Sequence, residues 1–256
     1  MLRPTSQGDT AQIGDGLLSP RLEQCPRISK AGKKCEPMNI AIFDFEGTLV
    51  DFQWQLKAAM EEVYPLIEEC ISSCNLDREI IKQADYCRLY NYLQKNIADL
   101  DLRKETINRI ETVFDFFDAD AALRWNLYPE VHNLLSSLKQ AGWGMALDSN
   151  VGRKALNEMF EKYSLNHYFD FTISRNEVSL LKPESEGINH ILAYYQSNAA
   201  PDQTFMIGDS VTDIETARKA EIKVAILTNG EDRTERLRSH QPDYLINNLA
   251  ELEKIL

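Results

Sequence analysis

Short apolar runs alternate with amphipathic segments of helical periodicity along the chain after Met38. Strands that alternate with helices of about 10–15 residues are typical of βαβ units, in which the sheet is parallel and helices cover both faces. The alternation therefore predicts an α/β fold with a three-layer core around a parallel sheet. The predicted strands are Ile40–Phe43, Gly144–Leu147, Phe169–Ile173, Phe205–Ile207, Val224–Leu227 and Tyr244–Ile246. The predicted helices between them are Glu130–Gln140, Val151–Tyr163, Glu186–Tyr195 and Asp213–Ala220.

One long interval interrupts this alternation. Between residues 52 and 127 the apolar positions recur only at helical spacing, and a block of this length is too long for a loop in a compact domain. The interval predicts an all-helical cap domain over residues 52–127. The remaining residues, 38–51 and 128–256, would then form the α/β core domain. Positions that carry the helical pattern include Leu56, Met60, Val63 and Ile67.

The composition excludes several classes of function. The formal net charge of −12 opposes a polyanion-binding surface, so no nucleic-acid partner is expected. No stretch approaches the ~20 apolar residues of a membrane span, so no membrane partner is expected either. The five cysteines form neither a disulfide framework nor a metal-ligand pattern, and free thiols suit the cytoplasm. Residues 1–37 lack the apolar core of a secretory signal and are expected to be a flexible N-terminal extension.

Polar residues that suit phosphoryl chemistry fall where the predicted strands end. Ligands of open parallel sheets bind outside the carboxyl ends of the strands. We therefore expect these side chains, which come from separate segments, to converge at one edge of the sheet. The residues are Asp44, Glu46, Ser149, Asn150, Lys182, Asp209 and Asp213.

The combination of residue types points to metal-assisted phosphoryl transfer. Carboxylates from two strands make a hard oxygen site suited to Mg²⁺. An aspartate can attack phosphorus and form an aspartyl phosphate, provided that positive charge cancels the repulsion between carboxylate and phosphate. The ammonium of Lys182 would supply part of that charge, and the hydroxyl of Ser149 would hold a phosphoryl oxygen. A second acid could protonate the leaving oxygen and then activate water.

Each of these residues also has a purely structural explanation. Ser210 and Asp213 fit a capping box, and Ser149 could cap the helix that begins near Val151. Lys182 could be an exposed loop lysine, which is the usual case. Capping does not explain why all of these residues fall at one edge of one sheet, so their combination favours the chemical interpretation.

Four motifs resemble those of the haloacid dehalogenase superfamily, mainly its phosphatases. They are DFEGTLVD (44–51), LDSN (147–150), LLKP (180–183) and GDSVTD (208–213), in the family's order. The resemblance covers residues 38–256 and fits the phosphoglycolate-phosphatase-like branch, which has a Rossmann-like core and a helical C1-type cap. It implies a cytoplasmic, Mg²⁺-dependent phosphatase, monomeric or homodimeric. Its substrate would be a small phosphorylated metabolite, either a phosphoglycolate-like compound or a sugar phosphate.

The resemblance also implies the role of each residue. Asp44 would be the nucleophile and a Mg²⁺ ligand, and Glu46 would be the general acid and base. The backbone carbonyl of Glu46 and the carboxylate of Asp209 would be further metal ligands. Asp213 would support the metal directly or through water, and Lys182 would keep Asp44 ionised.

The phosphoryl group would be bound by Ser149, Asn150 and Lys182, with Asn150 contributing through its backbone.

Two departures from the family pattern stand out. Glu221 replaces a usual Gly and is expected to affect a turn rather than catalysis. Glu46 replaces the Asp of most phosphatases in this family, so either the leaving group lies farther out or the acid step is weaker.

Two other functions remain open at this point. A phosphomutase of the β-phosphoglucomutase type would use the same residues, with the cap protecting the phosphoenzyme from water. A catalytically weak or inactive binding or regulatory protein could also retain the fold.

The acidic segment VFDFFDAD (113–120) is predicted to be a solvated helix end. Trp54, Trp125 and Tyr128 flank the predicted cap. They are expected to pack there, and the alternative is that they line the substrate pocket.

Overall fold

The structure is a computed structural model, which describes residues 38–196 and 199–256. The expected N-terminal extension over residues 1–37 lies outside these ranges. The strands of the described residues are β1 (Met38–Phe43), β2 (Gly144–Asp148), β3 (Phe171–Ile173), β4 (Ala199–Gly208), β5 (Lys223–Leu227) and β6 (Tyr244–Ile246). They form one sheet in the order β3-β2-β1-β4-β5-β6, and every neighbouring pair is parallel.

All six predicted strands and the α/β fold class are therefore confirmed. The helices of the described residues are α1 (Leu56–Ser73), α2 (Arg78–Gln83), α3 (Tyr86–Asn96), α4 (Leu100–Ala122), α5 (Val131–Gln140), α6 (Arg153–Lys162), α7 (Glu186–Tyr195), α8 (Val211–Lys219) and α9 (Thr234–Ser239). Short 3₁₀ helices span Arg175–Glu177 and Leu249–Lys254. Among these residues, none of the helices combines the length and the apolar character needed to cross a membrane.

Strand β1 has both of its faces buried, which explains its uninterrupted apolar sequence. Successive side chains of a strand point to opposite faces. Ile40 and Ile42 pack in one hydrophobic cluster with residues of α7 and α8. Ala41 and Phe43 pack in a second cluster with residues of α5 and α6. The sheet thus lies between two helical layers, as the sequence predicts.

The chain between β1 and β2 forms helices α1–α4, which confirms the helical periodicity of this interval. We refer to residues 52–127 as the helical insertion. The segments that enter and leave the insertion run side by side. The N–H of Asp51 donates to the carbonyl of Asn126 at 3.1 Å, and the N–H of Tyr128 donates to the carbonyl of Leu49 at 2.9 Å. The insertion shares a continuous hydrophobic cluster with the core, in which Phe45 packs edge-to-face on Trp125 at 5.3 Å between ring centroids.

Glu221, which replaces the family's usual Gly, follows α8 and has a φ of 56°. An L-residue in this left-handed region is strained by the contact between its Cβ and its own backbone, whereas Gly is not. The departure thus falls in a turn just before β5, as expected from the sequence.

We predict that Glu221→Gly stabilises the fold by about 0.5–1 kcal/mol, because the relief of left-handed strain exceeds the entropy that Gly loses on folding. The matched control is Glu158→Gly, an exposed position inside α6, which should destabilise by about 0.5–1 kcal/mol. Urea unfolding followed by circular dichroism measures both changes. Destabilisation of similar size by both variants would contradict the strain at Glu221.

Candidate active site

Three carboxylates meet at the carboxyl end of the sheet. Asp44 directly follows β1, and its N–H donates to the carbonyl of Ile207 at 2.9 Å, which continues the β1–β4 ladder. Asp209 follows β4, and Asp213 lies in the first turn of α8. Each of the three contributes a carboxylate oxygen to a cluster within 4.8 Å, and all three residues are buried. The predicted convergence of residues from separate segments is thus observed.

Lys182 connects two of these carboxylates. Its Nζ lies 2.8 Å from Asp44 Oδ1 and 2.7 Å from Asp213 Oδ1. The side chain is 5% exposed, so the alternative of an exposed loop lysine is wrong. Burial by itself would lower the pKa of Lys182, but Asp213 and Asp44 raise it well above its ordinary range. The lysine is therefore a fixed positive charge at this site.

The carboxylate of Asp213 has both a structural and an electrostatic role. Its Oδ2 accepts hydrogen bonds from the N–H of Asp209 and from the N–H and hydroxyl of Ser210, at 3.2, 3.1 and 2.7 Å. With the bond from its own N–H to Ser210 Oγ, these contacts complete the capping box that starts α8. The structural explanation of this pair is therefore correct, and the same side chain also holds Lys182.

The acids near Lys182 outnumber it. Burial raises the pKa of Asp44 to about 6 although Lys182 acts in the opposite direction. Burial, with Asp213 and Asp44, raises the pKa of Asp209 well above its ordinary value. Asp148, the last residue of β2, has a pKa raised to about 7, mainly by burial. A site with one ammonium and several close carboxylates lacks positive charge.

The oxygen donors of this cluster fit a divalent cation. Hard cations such as Mg²⁺ prefer carboxylate oxygens, and a bound cation would supply the missing positive charge. Asp209 is held in place from both sides: Thr48 Oγ1 donates to its Oδ1 at 3.3 Å, and the N–H of Glu231 donates to its Oδ2. Gly47 leaves room for it, because a Cβ at that position would lie 2.1 Å from Asp209 Oδ2.

We predict that Gly47→Ala weakens Mg²⁺ binding by at least about tenfold, because the added methyl group displaces the carboxylate of Asp209. Isothermal titration of the purified protein with Mg²⁺ measures the change. Gly142→Ala is the matched control, since Gly142 has φ 82° against 80° for Gly47 and follows α5. If both variants bind Mg²⁺ equally well, the cluster does not hold the ion in the way inferred here.

Ser149 and Asn150 follow β2 and line the same cleft as Asp44 and Lys182. The N–H of Ser149 donates to the carbonyl of Ile173, and its hydroxyl accepts from the N–H of Val151 at 3.3 Å. The helix that follows begins only at Arg153, with Gly152 at its N-cap, so Ser149 does not cap it.

The side chain of Asn150 is already engaged within the protein. Its Oδ1 accepts from the N–H of Lys182 at 3.1 Å, and its Nδ2 donates to Cys87 Sγ at 3.0 Å. Cys87 belongs to α3 of the helical insertion. Asn150 therefore links the loop of Lys182 to the insertion. Since Arg175 donates to its carbonyl, its backbone N–H remains for a ligand, in line with the expected role.

Glu46 also lines the cleft, and three donors hold one oxygen of its carboxyl group. Oε1 accepts from the N–H of Gln53 at 2.8 Å, from the N–H of Trp54 at 2.7 Å and from Nε1 of Trp125 at 2.7 Å. These donors lie at the two ends of the helical insertion. Burial raises the pKa of Glu46 to about 7 in spite of these three bonds. No described residue donates to Oε2, so this oxygen is left for a ligand.

The acidic segment 113–120 is only in part the solvated helix end that its composition predicts: the side chain of Asp115 is 56% exposed, whereas Asp118 is buried. Asp118 is 3% exposed and forms an ion pair with Arg175, whose side chain is 1% exposed, at 3.0 Å. Asp118 also accepts from the N–H of Gly152 at 2.8 Å, and Arg175 donates to the carbonyl of Asn150 at 2.8 Å. The prediction is wrong for Asp118 because the guanidinium of Arg175, which follows β3, neutralises it. The second partner of Arg175 is Asp115, at 2.5 Å.

We predict that Asp118→Ala destabilises the protein by about 3–5 kcal/mol, because it removes the buried partner of a buried guanidinium. Asp115→Ala is the matched control: its side chain is 56% exposed, so its loss should cost about 0–1 kcal/mol. Urea unfolding measures both values. Equal costs would contradict the assignment of Asp118 as the buried counter-charge.

Two further parts of the cleft carry no sequence motif. Glu231, in the loop after β5, contributes to the lining together with Phe52, Trp54 and Tyr86. Burial and the nearby acids raise the pKa of Glu231 to about 8. The rings of Trp54 and Tyr86 lie 4.8 Å apart between centroids. Trp54 packs near the insertion boundary, as expected, and it also lines the cleft.

The sequence and the fold of this chain are similar to those of known hydrolases. A profile of the haloacid dehalogenase-like hydrolases matches residues 41–227. The chain therefore belongs to the haloacid dehalogenase-like hydrolase family, which confirms the resemblance of its four motifs.

Named relatives agree with this assignment. A phosphoglycolate phosphatase of Vibrio parahaemolyticus is 27% identical over 223 residues, which cover 86% of this chain and 97% of the relative. A phosphoglycolate phosphatase of Nitrosococcus oceani is 28% identical over 154 residues, 60% of this chain and 68% of the relative. A haloacid dehalogenase-like family protein from Streptococcus pneumoniae has the same fold, with a TM-score of 0.53 at 20% identity over 85% of this chain and 98% of its own.

Proposed function

We propose that this hydrolase is a Mg²⁺-dependent phosphatase that cleaves a small phosphorylated metabolite through an aspartyl-phosphate intermediate on Asp44. The observation that carries this proposal is the contact of Lys182 Nζ with Asp44 Oδ1 at 2.8 Å, next to the buried carboxylates of Asp209 and Asp213. A nucleophilic carboxylate must stay ionised beside an anionic substrate, and a fixed ammonium makes this possible. The names of the phosphoglycolate phosphatases that this chain resembles support the same reaction class.

Asp44, Asp209 and Asp213 would hold the Mg²⁺ ion, with the backbone carbonyl of Glu46 as a further ligand. When bound, the ion supplies positive charge that offsets the repulsion between Asp44 and the phosphoryl group. Asp209 keeps its orientation through Thr48 and the backbone of Glu231. A carboxylate that is fixed before the substrate arrives needs no reorganisation during the reaction.

The phosphoryl group would be bound by Lys182, by the hydroxyl of Ser149 and by the backbone at Asn150. Lys182 is oriented from two directions, through its Nζ and through the bond from its N–H to the side chain of Asn150. Orientation of this kind lowers the barrier by holding the reacting atoms close to their positions in the transition state.

Two displacements at phosphorus then follow. A carboxylate oxygen of Asp44 forms a bond to phosphorus while the bond from phosphorus to the leaving oxygen breaks, and Glu46 donates a proton to that oxygen. In the second step Glu46 takes a proton from water, the water oxygen bonds to phosphorus, and the bond from phosphorus to Asp44 breaks. Inorganic phosphate is released and Asp44 is regenerated. The raised pKa of Glu46 suits a group that must both give and take a proton near neutral pH.

The test is hydrolysis of p-nitrophenyl phosphate and of a panel of phosphorylated metabolites, with Mg²⁺ and with excess EDTA. We expect release of inorganic phosphate that EDTA abolishes, and no turnover by Asp44→Asn, which removes the nucleophile but keeps the size of the side chain. Absence of Mg²⁺-dependent turnover across the panel would refute the proposal. Phosphoryl transfer between sugar phosphates without release of inorganic phosphate would instead identify a phosphomutase.

We predict that Glu46→Gln lowers kcat/KM for an alkyl phosphate by roughly 10²–10⁴-fold, because the leaving alkoxide then receives no proton. The loss should be much smaller for p-nitrophenyl phosphate, whose leaving group is a weak base. Glu46→Asp should lose about a hundredfold on alkyl phosphates, since a displacement of ~1 Å is costly and a shorter side chain cannot keep all three of its donors. Stopped assays of phosphate release measure these rates. Equal losses on both substrates would remove the proton-transfer role of Glu46.

A further inference from the structure

The positive charges of the cleft are all neutralised within the protein. Among the described residues, the basic side chains that line it are Lys182 and Arg175. Lys182 is paired with Asp44 and Asp213, and Arg175 is paired with two aspartates of α4. Arg175 is only 1% exposed, so it cannot turn toward a substrate without breaking these pairs. No unpaired cation in the described part of the cleft is therefore left for a second anionic group of a substrate.

Glu231 lies on the same lining with no internal partner for its carboxyl group. Its backbone N–H is used by Asp209, but no described residue forms a hydrogen bond or an ion pair with its side-chain oxygens. Glu231 shares the lining of the cleft with Asp44 and Glu46. A half-buried acid without a partner in a cleft is open to a donor group from a ligand.

The wall next to Glu231 is aromatic. Tyr86 lines the cleft together with Glu231, and Trp54 and Phe52 continue the lining. Trp54 is 8% exposed, and its buried Nε1 has no hydrogen-bond partner. Aromatic rings and a free acid favour hydroxyl or ammonium groups, and they offer no counter-charge to a carboxylate.

We propose that the substrate is a phosphomonoester whose alcohol portion carries no negative charge and donates a hydrogen bond to Glu231, which is thus a specificity-determining residue. This inference rests on the proposed phosphatase function and deepens it. Of the two substrate classes expected from the sequence, it favours the hydroxyl-bearing class of the sugar phosphates over phosphoglycolate. Discrimination arises because a substrate carboxylate would be removed from water beside Glu231 without a cation to pair with.

Three two-carbon phosphates of nearly equal size test this inference: 2-phosphoglycolate, 2-hydroxyethyl phosphate and 2-aminoethyl phosphate. They differ mainly in the terminal group, which is a carboxylate, a hydroxyl or an ammonium. We expect kcat/KM for 2-phosphoglycolate to be at least about tenfold below that for the better of the other two, because its carboxylate would be removed from water in a cleft whose described cations, Lys182 and Arg175, are already paired. Each compound is also titrated as a competitor of p-nitrophenyl phosphate, so that its binding is measured even when its turnover is slow.

The variant Glu231→Gln keeps the shape of the side chain and replaces the acid with a neutral amide, which can donate a hydrogen bond to a substrate carboxylate. This variant should reduce the ratio of kcat/KM for the preferred compound to that for 2-phosphoglycolate by at least about tenfold, mainly through a lower KM for 2-phosphoglycolate. It should also weaken the binding of 2-aminoethyl phosphate. Glu235→Gln, an exposed position in α9, is the charge-matched control and should leave all ratios unchanged. A wild-type preference for 2-phosphoglycolate, or ratios that Glu231→Gln leaves unaltered, would overturn the inference. Failure to hydrolyse even p-nitrophenyl phosphate with Mg²⁺ would overturn the phosphatase function itself, and this inference with it.

Discussion

The arrangement of the active site depends on the contacts of the Lys182 ammonium with two buried carboxylates. The ammonium lies between Asp44, which follows β1, and Asp213, which begins α8, and it arrives on the loop that precedes α7. Without it, several buried carboxylates would face one another, and each would be driven toward its protonated form. Because one cation serves two acids, the positions of three separate segments are fixed together. The geometry for phosphoryl transfer and the electrostatic stability of this part of the fold therefore have a common origin.

The loop that carries Lys182 is in turn held by the helical insertion. Asn91 of α3 exchanges two hydrogen bonds with the backbone of Leu181, one from its amide to the carbonyl at 2.8 Å and one from the N–H to its oxygen at 2.8 Å. Cys87, one turn earlier, accepts from Asn150. Glu46 completes the connection from the core side, since its donors lie at both ends of the insertion. The extra methylene of Glu46, relative to the usual Asp, provides the reach for these donors, which is a structural reason for this departure from the family pattern.

The alternation of strands and helices, and the motifs formed by neighbouring residues, could be predicted from the sequence alone. The central strands were found because burial of both faces leaves a continuous apolar run, and the site residues were found because parallel strands end at one edge. Helix α9 was missed, since its six polar-rich residues bury only Leu237. The pairing of Asp118 with Arg175 and the hydrogen bond from Trp125 to Glu46 were missed for another reason. These partners are separated by 57 and 79 residues, and periodicity tells which face is buried but not which distant side chain meets it. Glu231 belongs to no motif, and only the folded chain brings it beside Asp44.

The capping box at the start of α8 has an evolutionary consequence. Asp213 and Ser210 satisfy the backbone donors that open this helix, so replacing Asp213 would destabilise the helix as well as release Lys182. Selection for a folded chain alone would thus keep Asp213, whereas Asp44 is kept mainly by selection for its chemistry. In descendants that lose hydrolysis, Asp44 should therefore drift first while Asp213 persists. The residue at position 44, rather than the intact fourth motif, is accordingly the better marker of an active member of this lineage.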